Sequence, residues 1–202
     1  MAGRRRTAAH GSEKIRLHIA QEAARLMAEE GVLDFHAAKR KAAERLNLPQ
    51  AQQLPSNPEI EQALAAHLQL FQSRQMPQTL RQLRDIAVQT MQLLERFEPR
   101  LVGSLLSGHV TRFTGIQLHV TAEPAEMLAF FLREQHIPYE ESSKRLRFGG
   151  DRIETVPAYS FLAGEVPVEV CVFNPTAARE APLSPVDSRP MKRASLKELE
   201  AL

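Results

Sequence analysis

The residues best placed to do chemistry in this chain lie between Arg100 and Val120, in "RLVGSLLSGHVTRFTGIQLHV". Gly103 and Ser104 follow a short apolar run, and Gly108 comes soon after. A glycine after a buried strand lets the backbone turn and approach a phosphate closely. The next N–H and hydroxyl, at the start of a helical turn, can donate to phosphate oxygens. Gly108 is expected to let a second turn pack closely. In "IQLHV" the polar residues Gln117 and His119 alternate, so they share one face of a strand. Carboxylates at such positions would hold two metal ions that clamp reacting phosphates. This chain has an amide and an imidazole there instead. A later strand, "PVEVCVF", brings the carboxylate of Glu169, whose other reading is a pairing with a basic residue across the sheet.

The run "VGSLLSG" followed by the alternating "IQLHV" resembles the signature of the polymerase-beta-like nucleotidyltransferase superfamily. That signature is a hydrophobic-Gly-Ser turn and then a strand with two alternating acids. The resemblance covers residues 78–174. It implies a nucleotidyltransferase-like sheet with a nucleotide-shaped cleft, and nucleotide-binding roles for Gly103, Ser104 and Gly108. It makes Gln117 and His119 degenerate metal positions and Glu169 the candidate third acid. Mg²⁺ wants hard, charged oxygen ligands. Glutamine offers a neutral carbonyl, and imidazole suits zinc better. No metal site and no cofactor is therefore assigned, and Glu169 is the single catalytic candidate. Mg²⁺ enters only if the chain is an active enzyme.

The elements that must position these residues follow from periodicity. "MAGRRRTAAHGS" has no apolar periodicity and reads as a mobile basic arm, residues 1–12. Residues 13–75 read as a helical region. Ser12 can cap a first helix with Ile15, Ile19, Ala23, Leu26 and Met27 on one face, and Gly31 suits its end. Asp34 can cap "FHAAKRKAAERLN". Asn57 is expected to cap a third helix, with Pro58 at its first position. Pro77 opens a fourth. Residues 76–174 then read as the nucleotidyltransferase-like α+β domain, with "RLVGSLL" and "IQLHVTA" as strands. A helix follows Pro124, "PYEESSKRLRF" reads as an edge-like strand, and a hairpin turns at Gly164-Glu165. Pro167 places the start of the last strand at an edge or a bulge. Residues 175–202 read as an extended tail with a short helix capped by Ser195 and Glu198.

Composition narrows the function classes. The hydrophobic share of 43% and charged share of 25% are those of a globular protein. A net charge of +2 is too small to argue for nucleic acid by itself. The one cysteine, Cys171, excludes an internal disulfide and reads as a buried, inert thiol. No apolar run is long enough for a membrane helix, so no membrane partner and a cytoplasmic location are expected. The remaining histidines show no metal-ligand spacing, and adjacent Glu140 and Glu141 point to opposite faces of their strand.

The first two helices loosely resemble the opening of a TetR-type helix-turn-helix regulator. Arg4, Arg5 and Arg6 on the arm, and Lys39, Arg40 and Lys41 on the second helix, are candidate nucleic-acid contacts. A recognition helix should follow at once, but "PQAQQLPSNP" comes instead. The expected fold is α+β, an N-terminal helical region plus a small mixed-sheet domain. The favoured expectation is a catalytically degenerate nucleotidyltransferase-like protein that binds a nucleotide, RNA or a protein partner. One alternative is an active nucleotidyltransferase with an unorthodox metal site. The other is a nucleic-acid-binding regulator using the basic N-terminal helices.

Overall fold

The computed structural model describes the backbone of residues 2–48, 54–71 and 76–202, and the side chains of residues 13–48, 54–70, 78–150 and 152–202. The fold is α+β: helices come first and a five-stranded mixed sheet follows. Among the described residues no helix is long and apolar enough to cross a membrane. The chain divides into two compact units. One comprises residues 1–76, 111–113 and 185–187; the other comprises 77–110, 114–184 and 188–202.

The first unit holds α1 (Ala2–Glu30), α2 (Phe35–Arg45) and α3 (Asn57–Phe71). The helix α1 begins at Ala2, where an arm was expected, so Ser12 lies inside it rather than at its cap. Alanine and arginine have high helix propensity, and extending a helix already nucleated downstream is easy. Apolar periodicity is needed for packing, not for this extension. Gly31 ends α1 with φ +72°. A Cβ there would meet the Phe113 ring at 2.9 Å, so close packing and conformation both favour glycine. Asp34 caps α2, its carboxylate accepting from the Ala37 N–H at 2.7 Å. The cap of α3 is Ser56 rather than Asn57. The Glu59 carboxylate accepts from the Ser56 N–H at 2.8 Å and from its hydroxyl at 2.7 Å.

The core of this unit is built from Ile19, Ala23 and Leu26 of α1, Ala38 and Ala42 of α2, and Ile60, Leu64 and Leu68 of α3. Ile15, expected on the buried face, is half exposed. Burying a large aliphatic side chain contributes roughly 1.5–3 kcal/mol, whereas an exposed ion pair contributes about 0–1 kcal/mol. The aliphatic core therefore holds the helices together, and the surface ion pairs described below add little.

The second unit is built on a sheet of β1 (Arg100–Val102), β2 (Ile116–Thr121), β3 (Tyr139–Arg147), β4 (Ile153–Ala163) and β5 (Val166–Phe173), in the order β1-β2-β5-β4-β3. Only the β2–β5 pair is parallel. A parallel pair needs a long crossover, supplied here by a helix and the β3–β4 hairpin. Helices α4 (Met76–Leu93), α5 (Ser104–Ser107), α6 (Glu126–Glu134) and α7 (Leu196–Glu200) complete the unit. In α4, Leu83, Ala87 and Met91 are buried, as are Leu128, Ala129 and Leu132 of α6.

Alternation divides the sheet into two faces. Ile116, Leu118 and Val120 of β2 and Val168, Val170 and Val172 of β5 make one face, and all are buried. On the other face Val156, Ala158, Cys171 and Phe173 form an apolar patch with Phe148, against which Ala177 and Ala178 pack. The remainder of that face carries Gln117, Glu169 and Ser160 and is open enough to leave Gln117 exposed.

Two local expectations need correction, and that for Pro167 holds. "RLVGSLL" is not one strand: β1 ends at Val102 and α5 begins at Ser104, because Gly103 turns the chain between them. Pro167 stands at an edge position as expected, since the beginning of β5 pairs with β4 alone, although the strand is central further along. It is tolerated because pairing with β2 starts one residue later, at Val168, and because Gly115 runs past it; a Cβ on Gly115 would lie 2.7 Å from the Pro167 carbonyl oxygen. The tail is not merely extended: Leu101 and Ala194 exchange backbone hydrogen bonds of 2.8 and 2.9 Å beside β1. The Ser195–Glu198 capping box then starts α7, whose Leu199 is buried.

Candidate functional site

The Gly103 turn is built by backbone requirements. Gly103 has φ +79° and ψ −158°, a region that side chains other than glycine avoid. The Leu106 and Ser107 N–H groups both donate to the Gly103 carbonyl, at 3.2 and 3.3 Å, so the amides of Ser104 and Leu105 precede the first internal bond of α5. The Ser107 hydroxyl donates back to the Ser104 carbonyl at 3.1 Å. Gly108 ends the turn with φ +80°. A Cβ on Gly108 would meet nothing within 4 Å. It serves conformation alone, not the close packing expected of it.

Sheet register brings the predicted residues together. Val102, Gln117, Glu169 and Ser160 stand directly opposite one another across β1, β2, β5 and β4. Two residues along, Arg100, His119, Cys171 and Ala158 make the next row. Gln117, His119 and Glu169 therefore share one face, beside the strand that leads into Gly103. A Cβ on Gly103 would collide with the Gln117 amide oxygen. The Gln117 side chain thus leans into the turn.

Glu169 is not a free carboxylate. The Lys144 ammonium of β3 lies 2.8 Å from it, in an ion pair that is partly exposed. A positive charge already sits beside this carboxylate. Among the described residues no three His, Cys, Asp or Glu side chains are grouped to hold a metal ion. The pairing follows from β3 folding back beside β4, and no local motif around Lys144 announces it.

His119 differs from an exposed metal ligand. It is 5% exposed, and its ring lies 4.8 Å from that of Phe173. Burial, with Arg193 nearby, pushes the imidazole down from 6.5 to about 4. It is neutral at physiological pH, and its buried Nδ1 has no hydrogen-bond partner among the described residues. Neighbouring Cys171 is buried too, and burial raises its thiol to about 12.

The candidate nucleic-acid contacts divide. The side chains of Arg4, Arg5 and Arg6 lie outside the described residues. On α2, Lys41 donates to the Glu30 carboxylate at 2.9 Å, and Arg45 engages the same carboxylate while lying 3.5 Å from Glu22. These two cations hold the Glu30 carboxyl down to about 2. Lys39 is partly buried, and its ammonium is lowered by that burial against the pull of Glu59 and Asp34. Arg40 is exposed. The basic helix therefore spends much of its charge on α1.

No protein-family model, no curated protein and no solved structure matches this chain.

Proposed function

We propose that the chain is a catalytically degenerate nucleotidyltransferase-like protein that binds a nucleotide, RNA or a protein partner through the face beside Gly103 without transferring a nucleotidyl group. The observation that carries this reading is the Glu169–Lys144 ion pair on the face that also bears Gln117 and His119. Two-metal transfer needs anionic ligands for both ions. Directly beside Gln117 this face offers the Glu169 carboxylate, which an ammonium already neutralises, and the next carboxylate of the row, Glu140, stands two strands further on, beyond Ser160. The turn keeps its donors, since the amides at Ser104 and Leu105 need no metal. Among the readings of the ligand, a nucleotide fits best, because a turn of backbone donors suits a terminal phosphate. We place the protein in the cytoplasm, where nucleotides are abundant and a lone thiol stays reduced.

The test is equilibrium dialysis of labelled ATP, GTP, CTP and UTP, with and without Mg²⁺ or Mn²⁺. A transfer assay with the protein itself, tRNA and cell extract as acceptors runs in parallel. Binding that is indifferent to the metal, weakened by Ser104→Ala and accompanied by no transfer is the expected result. Metal-dependent transfer abolished by Glu169→Ala would establish the active enzyme instead.

A further inference from the structure

A concave feature of the sheet unit gathers positively charged side chains. A cavity of about 500 Å³ is lined by Glu98, Arg100, His119, Thr121, Arg179 and Arg193. Gly103, Ser104, Gln117 and Glu169 are not on its wall. Its arginines come from separate parts of the chain. Arg100 opens β1, Arg179 closes a single 3-10 turn after β5, and Arg193 precedes Ala194, which bridges to Leu101. The Arg193 Nη1 donates to the Ala178 carbonyl at 2.9 Å, which fixes one side of that guanidinium.

Arg100 and Arg179 are exposed, and Arg193 is partly buried. Burial and the repulsion of Arg100 both lower the Arg193 guanidinium. The opposing charges are Glu98 on the wall and Glu198 of α7, which acts on Arg100. Among the described residues none of the three arginines forms an ion pair with a carboxylate. The His119 Nδ1 on the same wall is buried and has no partner among the described residues. Native proteins satisfy most buried polar atoms, so this nitrogen is open to a hydrogen bond with a ligand.

We propose that this cavity binds the phosphate group of a small phosphorylated molecule. Guanidinium forks match phosphate oxygens with paired, charge-assisted hydrogen bonds. Cavities that hold small molecules span roughly 300–1,000 Å³, so this one has room for more than the phosphate. Glu98 is set on the wall by a left-handed backbone, φ +49° and ψ +57°. Its carboxylate can accept from a hydroxyl or amine on the ligand body, and it disfavours a second anionic group beside it. The site does not depend on the nucleotidyltransferase-like reading, since it uses none of the turn residues.

The test is calorimetric titration of the full chain at near-neutral pH with inorganic phosphate and with glycerol 3-phosphate. Glycerol and chloride at matched ionic strength are the controls. Glycerol 3-phosphate should bind more tightly than phosphate, and glycerol and chloride should give no saturable heat. Arg100→Gln and Arg179→Gln should each weaken binding by about fivefold or more. Arg145→Gln, which is off the cavity wall, should leave it unchanged. The imidazole resonances of His119 should shift on titration. Arg193→Gln also removes the bond to Ala178, so the conclusion rests on the other two variants. No saturable binding by millimolar phosphate or glycerol 3-phosphate would overturn the proposal. So would equal affinity in the Arg100→Gln/Arg179→Gln double variant.

Discussion

Burying His119 against Phe173 removes the imidazole from water and sets its proton affinity well below that of the unfolded chain. The sign of the consequence is fixed. Between pH 6.5 and about 4 the unfolded chain binds a proton at this histidine and the folded chain does not. Stability from this residue is therefore fully present above pH 6.5, falls as the pH drops, and is lost by about pH 4. The shift corresponds to on the order of 3 kcal/mol. Urea unfolding at several pH values should show a steeper loss over this window for the natural chain than for His119→Leu. Equal slopes would mean that the imidazole is not protected from water. Gln117 and Lys144 invite a second test. Gln117→Asp with Lys144→Gln would put two unpaired carboxylates directly opposite each other across β2 and β5. This variant should bind Mn²⁺ detectably by electron paramagnetic resonance. Gln117→Asp alone should bind it far more weakly, because Lys144 continues to neutralise Glu169. Manganese binding of equal strength in the two variants would remove Lys144 from its assigned role.

At the scale of elements, the Gly103 turn carries its own prediction. Gly103→Ala must place a Cβ in backbone that side chains avoid and push the Gln117 amide aside. The expected loss is about 1–3 kcal/mol. Gly108→Ala also meets left-handed backbone but has open space around it, so it should cost nearer 1 kcal/mol. Chemical unfolding of both variants checks the order, and a cheaper Gly103→Ala would contradict the turn geometry. What was legible in the sequence divides along the same line. The Asp34 cap, the Gly31 stop, the Ser195–Glu198 box and the Gly164 hairpin were readable because each depends on residues a few positions apart. The adjacency of Gln117 and Glu169 was readable because strong alternation fixes which residues share a face. The Ser56 cap was missed because Asn57-Pro58 is also a good start signal, and only the Glu59 carboxylate decides between them. The break of "RLVGSLL" at Gly103 was underestimated because four apolar residues surround it. A basic partner for Glu169 across the sheet was readable, but its identity as Lys144 was not, nor was Arg193 beside Arg100: each depends on a long-range pairing, β3 on β4 or Ala194 on Leu101, that no local pattern encodes.

For the whole molecule, the question is where its positive charge is spent. The net charge is only +2, so any affinity for nucleic acid must come from a local cluster. The α2 helix looks basic as a string, but Glu22 and Glu30 of α1 hold Arg45, and Glu30 also holds Lys41. Arg25 is held by Glu22 and Glu29. A phosphate backbone would have to compete with these carboxylates, which on α2 leaves Arg40 and partly buried Lys39. Each phosphate neutralised contributes about −0.9 to the slope of log affinity against log salt on duplex DNA. A regulator with a dedicated surface makes many such contacts and shows a steep slope. This chain should show weak retention of duplex DNA or tRNA at low salt, with a slope of about −3 or shallower. Replacing Arg4, Arg5 and Arg6 together by glutamine should remove most of what remains, and Lys41→Ala should change little because Glu30 already occupies it. A steep slope that survives the triple replacement and collapses with Lys39→Ala and Arg40→Ala would instead make α2 a nucleic-acid helix and return the regulator reading to first place.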